Sequence, residues 1–150
     1  MKKIIIWGLN PAEEICRIAS NVLLAEIHAT KGDYDAAIDL LQKAILLEDK
    51  LNYNEPPDWF FSVRHLLGNV FMSSKRYKDA EEIYREDLLN WPKNGFALNG
   101  LYESLKAQGR TAESAEVKKQ FTDAWTYADS PLKNSRIDKD REKQSDIEDQ

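Results

Sequence analysis

Apolar residues recur three and four positions apart along most of the chain, and alternation of apolar with polar residues is nearly absent. That spacing predicts helices and speaks against strands. The first stripe runs Ile15, Ile18, Val22, Ala25 and Ala29, with Leu24 beside it. Asn10-Pro11 opens it: Asn10 suits the N-cap, Pro11 the first helical position, and Glu13-Glu14 the positive end of the dipole. Lys31-Gly32-Asp33 ends this helix and starts the next, with Gly32 in the left-handed conformation and Asp33 as a cap. The second helix carries Ala37, Leu40, Leu41, Ala44, Ile45 and Leu47 and runs out near Asn52. Pro56-Pro57 excludes helix from the stretch that follows. Asp58 is then expected to cap a third helix that ends near Ser73-Ser74. A fourth is expected from about Tyr77 to Asn90, a fifth from Gly95 to Ala107, and a sixth from after Arg110 to about Ala128, where Pro131 bars extension.

Six helices in three pairs prompt a search for a period. The turns Gly32-Asp33-Tyr34, Lys75-Arg76-Tyr77 and Gly109-Arg110-Thr111 align, 43 and 34 residues apart. Ala37, Ala80 and Ser114 fall in register behind them. The longer spacing is one unit plus a nine-residue insertion at the Pro56-Pro57 loop. The second unit reads Leu67-Gly68-x2-Phe71, then Ala80-x3-Tyr84, then Pro92. The first reads Leu24-Ala25-x2-His28, Ala37-x3-Leu41 and Ala44. The third is degenerate: Leu101-Tyr102-x2-Leu105, then Ser114-x3-Lys118.

On these residues the chain resembles the tetratricopeptide repeat family. The resemblance implies an all-α fold of three tandem helix-turn-helix hairpins, a short right-handed α-solenoid. The repeats are expected at about 18–51, 61–94 and 95–128, within a domain of 11–130, with the insertion at 52–60. Residues 53–64, 84–88 and 92–98 further resemble the C-terminal part of longer bacterial members. The chain is then a short member or a piece of a longer one.

Composition changes the picture at the two ends. Leu, Ile, Val and Phe make up 36 of the 150 residues, enough for a sizeable core. Residues 131–150 hold five basic and six acidic residues but only Leu132, Ile137 and Ile147 of that set, so a disordered, solvated C-terminal tail is expected. Residues 1–10 form an apolar segment. Its run Ile4-Ile5-Ile6-Trp7 is too short for a transmembrane helix and is interrupted too soon for a signal peptide. The expected location is cytoplasmic, with no membrane partner. With no core of its own, that run is a candidate for self-association or fold-back. A net charge of −5 excludes nucleic acid as an expected partner. The lone Cys16 excludes a disulfide framework or a cysteine-cluster metal site.

No nucleotide, hydrolase or zincin pattern occurs, so the expected function is noncatalytic, without cofactor or metal. His28 and His65 fall on different repeats, and a metal would need further ligands in fixed geometry. In the resembled family the first helix of each repeat lines a concave groove. By position this implies a peptide-binding set of Val22, Glu26, His65, Asn69, Met72, Asn99, Glu103 and Lys106. Members that clamp a terminal carboxylate place Lys and Asn where this chain has Val22 and Glu26. A basic or neutral partner is therefore expected rather than an acidic one. Glu55-Pro56-Pro57-Asp58-Trp59 is the least explained feature. Its prolines stiffen a connection and Trp59 packs, or Trp59 and Arg64 form a hot spot at the groove rim. Three functions remain open: an interaction module holding a peptide or partner helix, a structural piece of a longer array, or a small-ligand or enzyme site at that loop.

Overall fold

The computed structural model describes residues 9–132, 134 and 135. Six helices follow one another: α1 (Ala12–Thr30), α2 (Tyr34–Glu48), α3 (Val63–Ser73), α4 (Tyr77–Asn90), α5 (Gly95–Ala107) and α6 (Thr111–Ala124). No strand occurs among the described residues. Each helix packs on the next, and α3 also meets α5. The result is three stacked hairpins, an α-solenoid.

One turn is used three times. Asp33, Arg76 and Arg110 each donate a backbone N–H to a carbonyl of the preceding helix: His28, Phe71 and Leu105, at 3.0, 2.8 and 3.0 Å. This closure requires a left-handed residue just before the donor. Gly32 (φ 78°), Lys75 (φ 60°) and Gly109 (φ 74°) supply it. Lys75 adopts that conformation without a glycine's freedom, which accounts for the absence of a glycine signal at the middle turn.

Between paired helices a small residue faces a large one. Tyr84 on α4 is 1% exposed, and a Cβ built on Gly68 of α3 or on Gly100 of α5 would land within its ring. In the first hairpin Ala25 and Leu41, both fully buried, occupy the corresponding positions. The third hairpin reverses the arrangement: the large residue is Tyr102 on the first helix, and the Lys118 ammonium on the second sits 4.5 Å from its ring centroid.

Three sequence expectations change. Asn10 does not cap α1; Pro11 is the N-cap and makes no side-chain bond. Instead Asn10 is buried and tethers the insertion. Its amide donates to Asn52 O (2.9 Å) and to Asp58 Oδ2 (2.8 Å), and its Oδ1 accepts from Asn52 N (2.7 Å). Asp58, held there, does not cap α3, whose N-cap is Ser62. The sixth helix ends at Ala124 rather than near Ala128. Residues Ile4, Ile5, Ile6 and Trp7 lie outside the described residues, as does most of the charged tail. Of the tail's beginning, Ser135 is buried at 2% exposure.

Candidate functional site: a pocket across the first helices

The first helices of the three hairpins, α1, α3 and α5, share a face. On it lies a pocket of about 340 Å³. Val22 and Glu26 from α1, His65 and Leu66 from α3, and Phe96 from α5 line it. Phe60 and Phe61 at the end of the insertion close one side, and Ser135 enters from the tail. The walls are mostly hydrocarbon, so an apolar side chain entering would be released from water at low cost in lost polar contacts. Phe60 is 71% exposed, an aromatic face at the edge of the pocket.

His65 is fixed from two directions. Its Nε2 lies 3.0 Å from Asp87 Oδ2 on α4, and its ring stacks on Phe96 at 5.6 Å between centroids. Asn94 caps α5 by accepting from Phe96 N at 3.0 Å, which leaves its amide to donate to Asp87 Oδ2 at 3.3 Å. The same amide nitrogen lies 2.9 Å from His65 Nε2, so Asp87, His65 and Asn94 form one polar cluster in which the imidazole tautomer sets whether Nε2 donates to Asp87 or accepts from Asn94. Asp87 is 1% exposed, and its Oδ1 has no hydrogen-bond partner among the described residues. Ser135 Oγ donates to the His65 carbonyl at 3.0 Å and accepts from the Tyr84 hydroxyl at 2.5 Å. Serine, histidine and aspartate therefore meet without forming a nucleophile–base pair, since the imidazole does not touch Oγ.

Of the eight groove residues expected from the repeat register, Val22, Glu26 and His65 come together in this pocket. Asn69, Met72, Asn99, Glu103 and Lys106 lie outside it. Met72 packs on the core, Asn99 is buried with an unpartnered Nδ2, and Lys106 pairs with Glu103 at 3.5 Å. Phe60, Phe61, Leu66 and Ser135 were not among the expected residues. The run Trp59-Phe60-Phe61 was the available signal for two of them; Ser135 carried none, because its pairing spans 51 and 70 positions.

Arg64 is not a rim residue. Its side chain is 7% exposed and forks onto Asp49, with two bonds of 2.8 Å, while Glu86 accepts at 2.7 and 3.0 Å. It joins α2, α3 and α4. Trp59 is half-buried against Phe60 and Phe61 and lines a second cavity of about 470 Å³ beneath the insertion, together with Arg64 and the carboxylates of Glu48, Asp49, Glu55, Asp58 and Asp87. There Glu48 accepts from Val63 N at 3.1 and 3.3 Å, and burial lifts its carboxyl to about 7 despite that bond and the nearby Arg64. The sequence offered no desolvated carboxylate at this loop; folding creates one from the end of α2. Among the described residues no group of three or more His, Cys, Asp or Glu could hold a metal ion. His28 is half-exposed and bonded to Asp33 at 2.8 Å, on a different hairpin from His65.

Stacked helical hairpins with a pocket across their first helices define a repeat protein of the α-solenoid class. Residues 18–50 and 63–95 each match the tetratricopeptide repeat family. The chain thus carries tetratricopeptide repeats at these two segments, and α5–α6 adds a third hairpin beyond them. Tetratricopeptide repeats generally mediate protein–protein interaction. Among solved structures it is similar to the crystal structure of MamA protein, with a TM-score of 0.59 and 20% identity, covering 77% of this chain and 60% of that one. The chain thus spans less than two thirds of MamA's length. That likeness concerns the fold. No curated protein matches the sequence. No helix among the described residues is long and apolar enough to cross a membrane.

Proposed function

We propose that the chain is a noncatalytic interaction module that binds a peptide or a partner helix in the groove formed by α1, α3 and α5. The observation that carries this reading is the apolar pocket walled by Val22, Phe60, Phe61, Leu66 and Phe96, with Glu26 as its charged wall residue. A carboxylate beside hydrocarbon suits an aliphatic or aromatic side chain flanked by Lys or Arg, so a basic or neutral partner fits better than an acidic one. The net charge of −5 acts in the same direction and disfavours nucleic acid. The proposed setting is cytoplasmic. Placing a photo-crosslinking phenylalanine analogue at Phe60 should capture a discrete partner in lysate, and Glu26→Lys should reduce that capture. Adducts that are diffuse, or indifferent to Glu26→Lys, would sink the reading.

A second reading is favoured by α1. Leu23, Leu24 and Ile27 are 63%, 44% and 40% exposed on its outer side. The inner helices of a solenoid bury such residues against a neighbouring repeat. On this reading the chain works by stacking within a longer array.

A further inference from the structure

Ser135 shows where the chain goes after α6. It is buried, lines the groove pocket, and is held by Tyr84 and by the His65 carbonyl. Both contacts lie on the inner repeat, far from Ser135 in sequence, so the chain enters the groove at this point rather than leaving into solvent. Fifteen residues follow, and only Ile137 and Ile147 among them are aliphatic. Two residues of extended chain span about 7 Å. Ile137 is therefore the first aliphatic side chain after Ser135 that can reach the pocket Ser135 itself borders, with the shortest stretch of chain to order. Arg136, directly before Ile137, is a cation complementary to Glu26 on the pocket wall, while Asp138, directly after it, is kept from a like-charged wall only if Arg136 is the neighbour that meets Glu26.

We propose that the groove is the docking site of this chain's own C-terminal segment, with Ser135 as anchor and Ile137 in the apolar pocket. A partner peptide would then have to displace the segment, so the isolated chain is held in a self-occupied state. This deepens the reading of the groove as a peptide site and rests on it. The same chemistry defines what competes: an aliphatic side chain two positions beyond a small hydroxyl residue, with a neighbouring cation.

The test uses the full chain with Cys16→Ser, which removes its exposed thiol. Val22→Cys and Ile137→Cys are added together, and the protein is oxidised mildly at low concentration. A disulfide within one chain as the major product, formed more slowly when Ser135→Ala is added, is the expected result. No disulfide, or a disulfide only between two chains, overturns the proposal; the second outcome assigns the groove to another copy's segment. A closure rate indifferent to Ser135→Ala removes the anchor and overturns it as well. Repeating the pairing from Phe61→Cys guards against a Val22 variant that fails to fold. Capture of a partner at Phe60 without intrachain closure would leave the groove reading standing and this inference refuted. Closure without capture is the self-occupied state itself, and capture at Phe60 should then appear once residues 136–150 are deleted; no capture from that shortened chain would overturn the groove reading.

Discussion

Tyr84 ties the core to the groove. Its ring fills the space left by two glycines on two different helices, and its hydroxyl reaches Ser135 at the edge of the pocket. Replacing Gly100 by Ala drives a methyl group into that ring, and the surrounding helices are too closely packed to absorb it cheaply. Gly100→Ala should therefore cost about 1–3 kcal/mol, seen as a lower urea midpoint with an unchanged slope. A midpoint equal to that of the parent would show that the ring moves freely. Glu48 is a second residue whose setting decides its behaviour. Its carboxyl is raised from 4.5 to about 7 by burial. The folded state thus binds its proton more tightly than the unfolded state. Below pH 4.5 the group has no effect; as pH rises from about 4.5 to 7 its contribution turns against folding. The full penalty, at most about 3 kcal/mol, is present above 7. Glu48→Gln keeps an acceptor for Val63 N and removes the charge. It should flatten the fall in melting temperature across that window and raise it at pH 8. An unaltered pH profile would mean that Glu48 ionises freely.

At the scale of elements, the insertion is attached rather than hanging. Asn10 grips it from before α1, Glu48 reaches Val63 across it, and Arg64 clamps Asp49 and Glu86 behind it. Arg64 is the cation among the carboxylates that line the cavity. Its loss would leave those carboxylates uncompensated. Arg64→Ala should destabilise by about 3 kcal/mol, the low end for a buried pair because Asp49 and Glu86 are about half-exposed. Arg64→Lys should recover only part of this, since one ammonium cannot fork onto two carboxylates. Denaturant unfolding of the three proteins checks it, and equal stability of all three would show the clamp to be idle. In the third hairpin the pair Tyr102 and Lys118 is reversed, and the exposed Lys118 tops the aromatic ring while its side chain meets water.

For the whole molecule, the question is what the exposed face of α1 meets. Leu23 and Ile27 lie one helical turn apart and are 63% and 40% exposed in the described chain. If the chain stacks on another repeat, in its own extension or in a second copy, this face is the junction. Leu23→Lys with Ile27→Lys should then abolish any concentration-dependent rise in sedimentation coefficient while leaving the melting temperature within a few degrees, because neither side chain is buried here. A strictly monomeric parent, unchanged by the double variant, would remove self-stacking. Partner capture at Phe60 should survive the double variant if groove and stacking face are independent.

The helical class, the three hairpins, the repeat register and the turns at Gly32 and Gly109 were all legible in the sequence. They depend on local matters: apolar spacing at the helical period, glycine's access to left-handed backbone, and a small residue repeated opposite a large one. Even so, local signals misled at Asn10 and Asp58. Both are good capping residues, but a long-range pair between them satisfied their polar atoms better than the helix ends did. Val22, Glu26 and His65, expected on one face of the first helices, do line the pocket there. Phe60, Phe61 and Ser135 come from connections whose course no helical period dictates, and Arg64 left the rim because acidic groups from α2 and α4 converge on it. Periodicity reports which face of a helix turns inward. Which groups from distant segments meet there, lose water and change their ionisation is decided only when the hairpins stack.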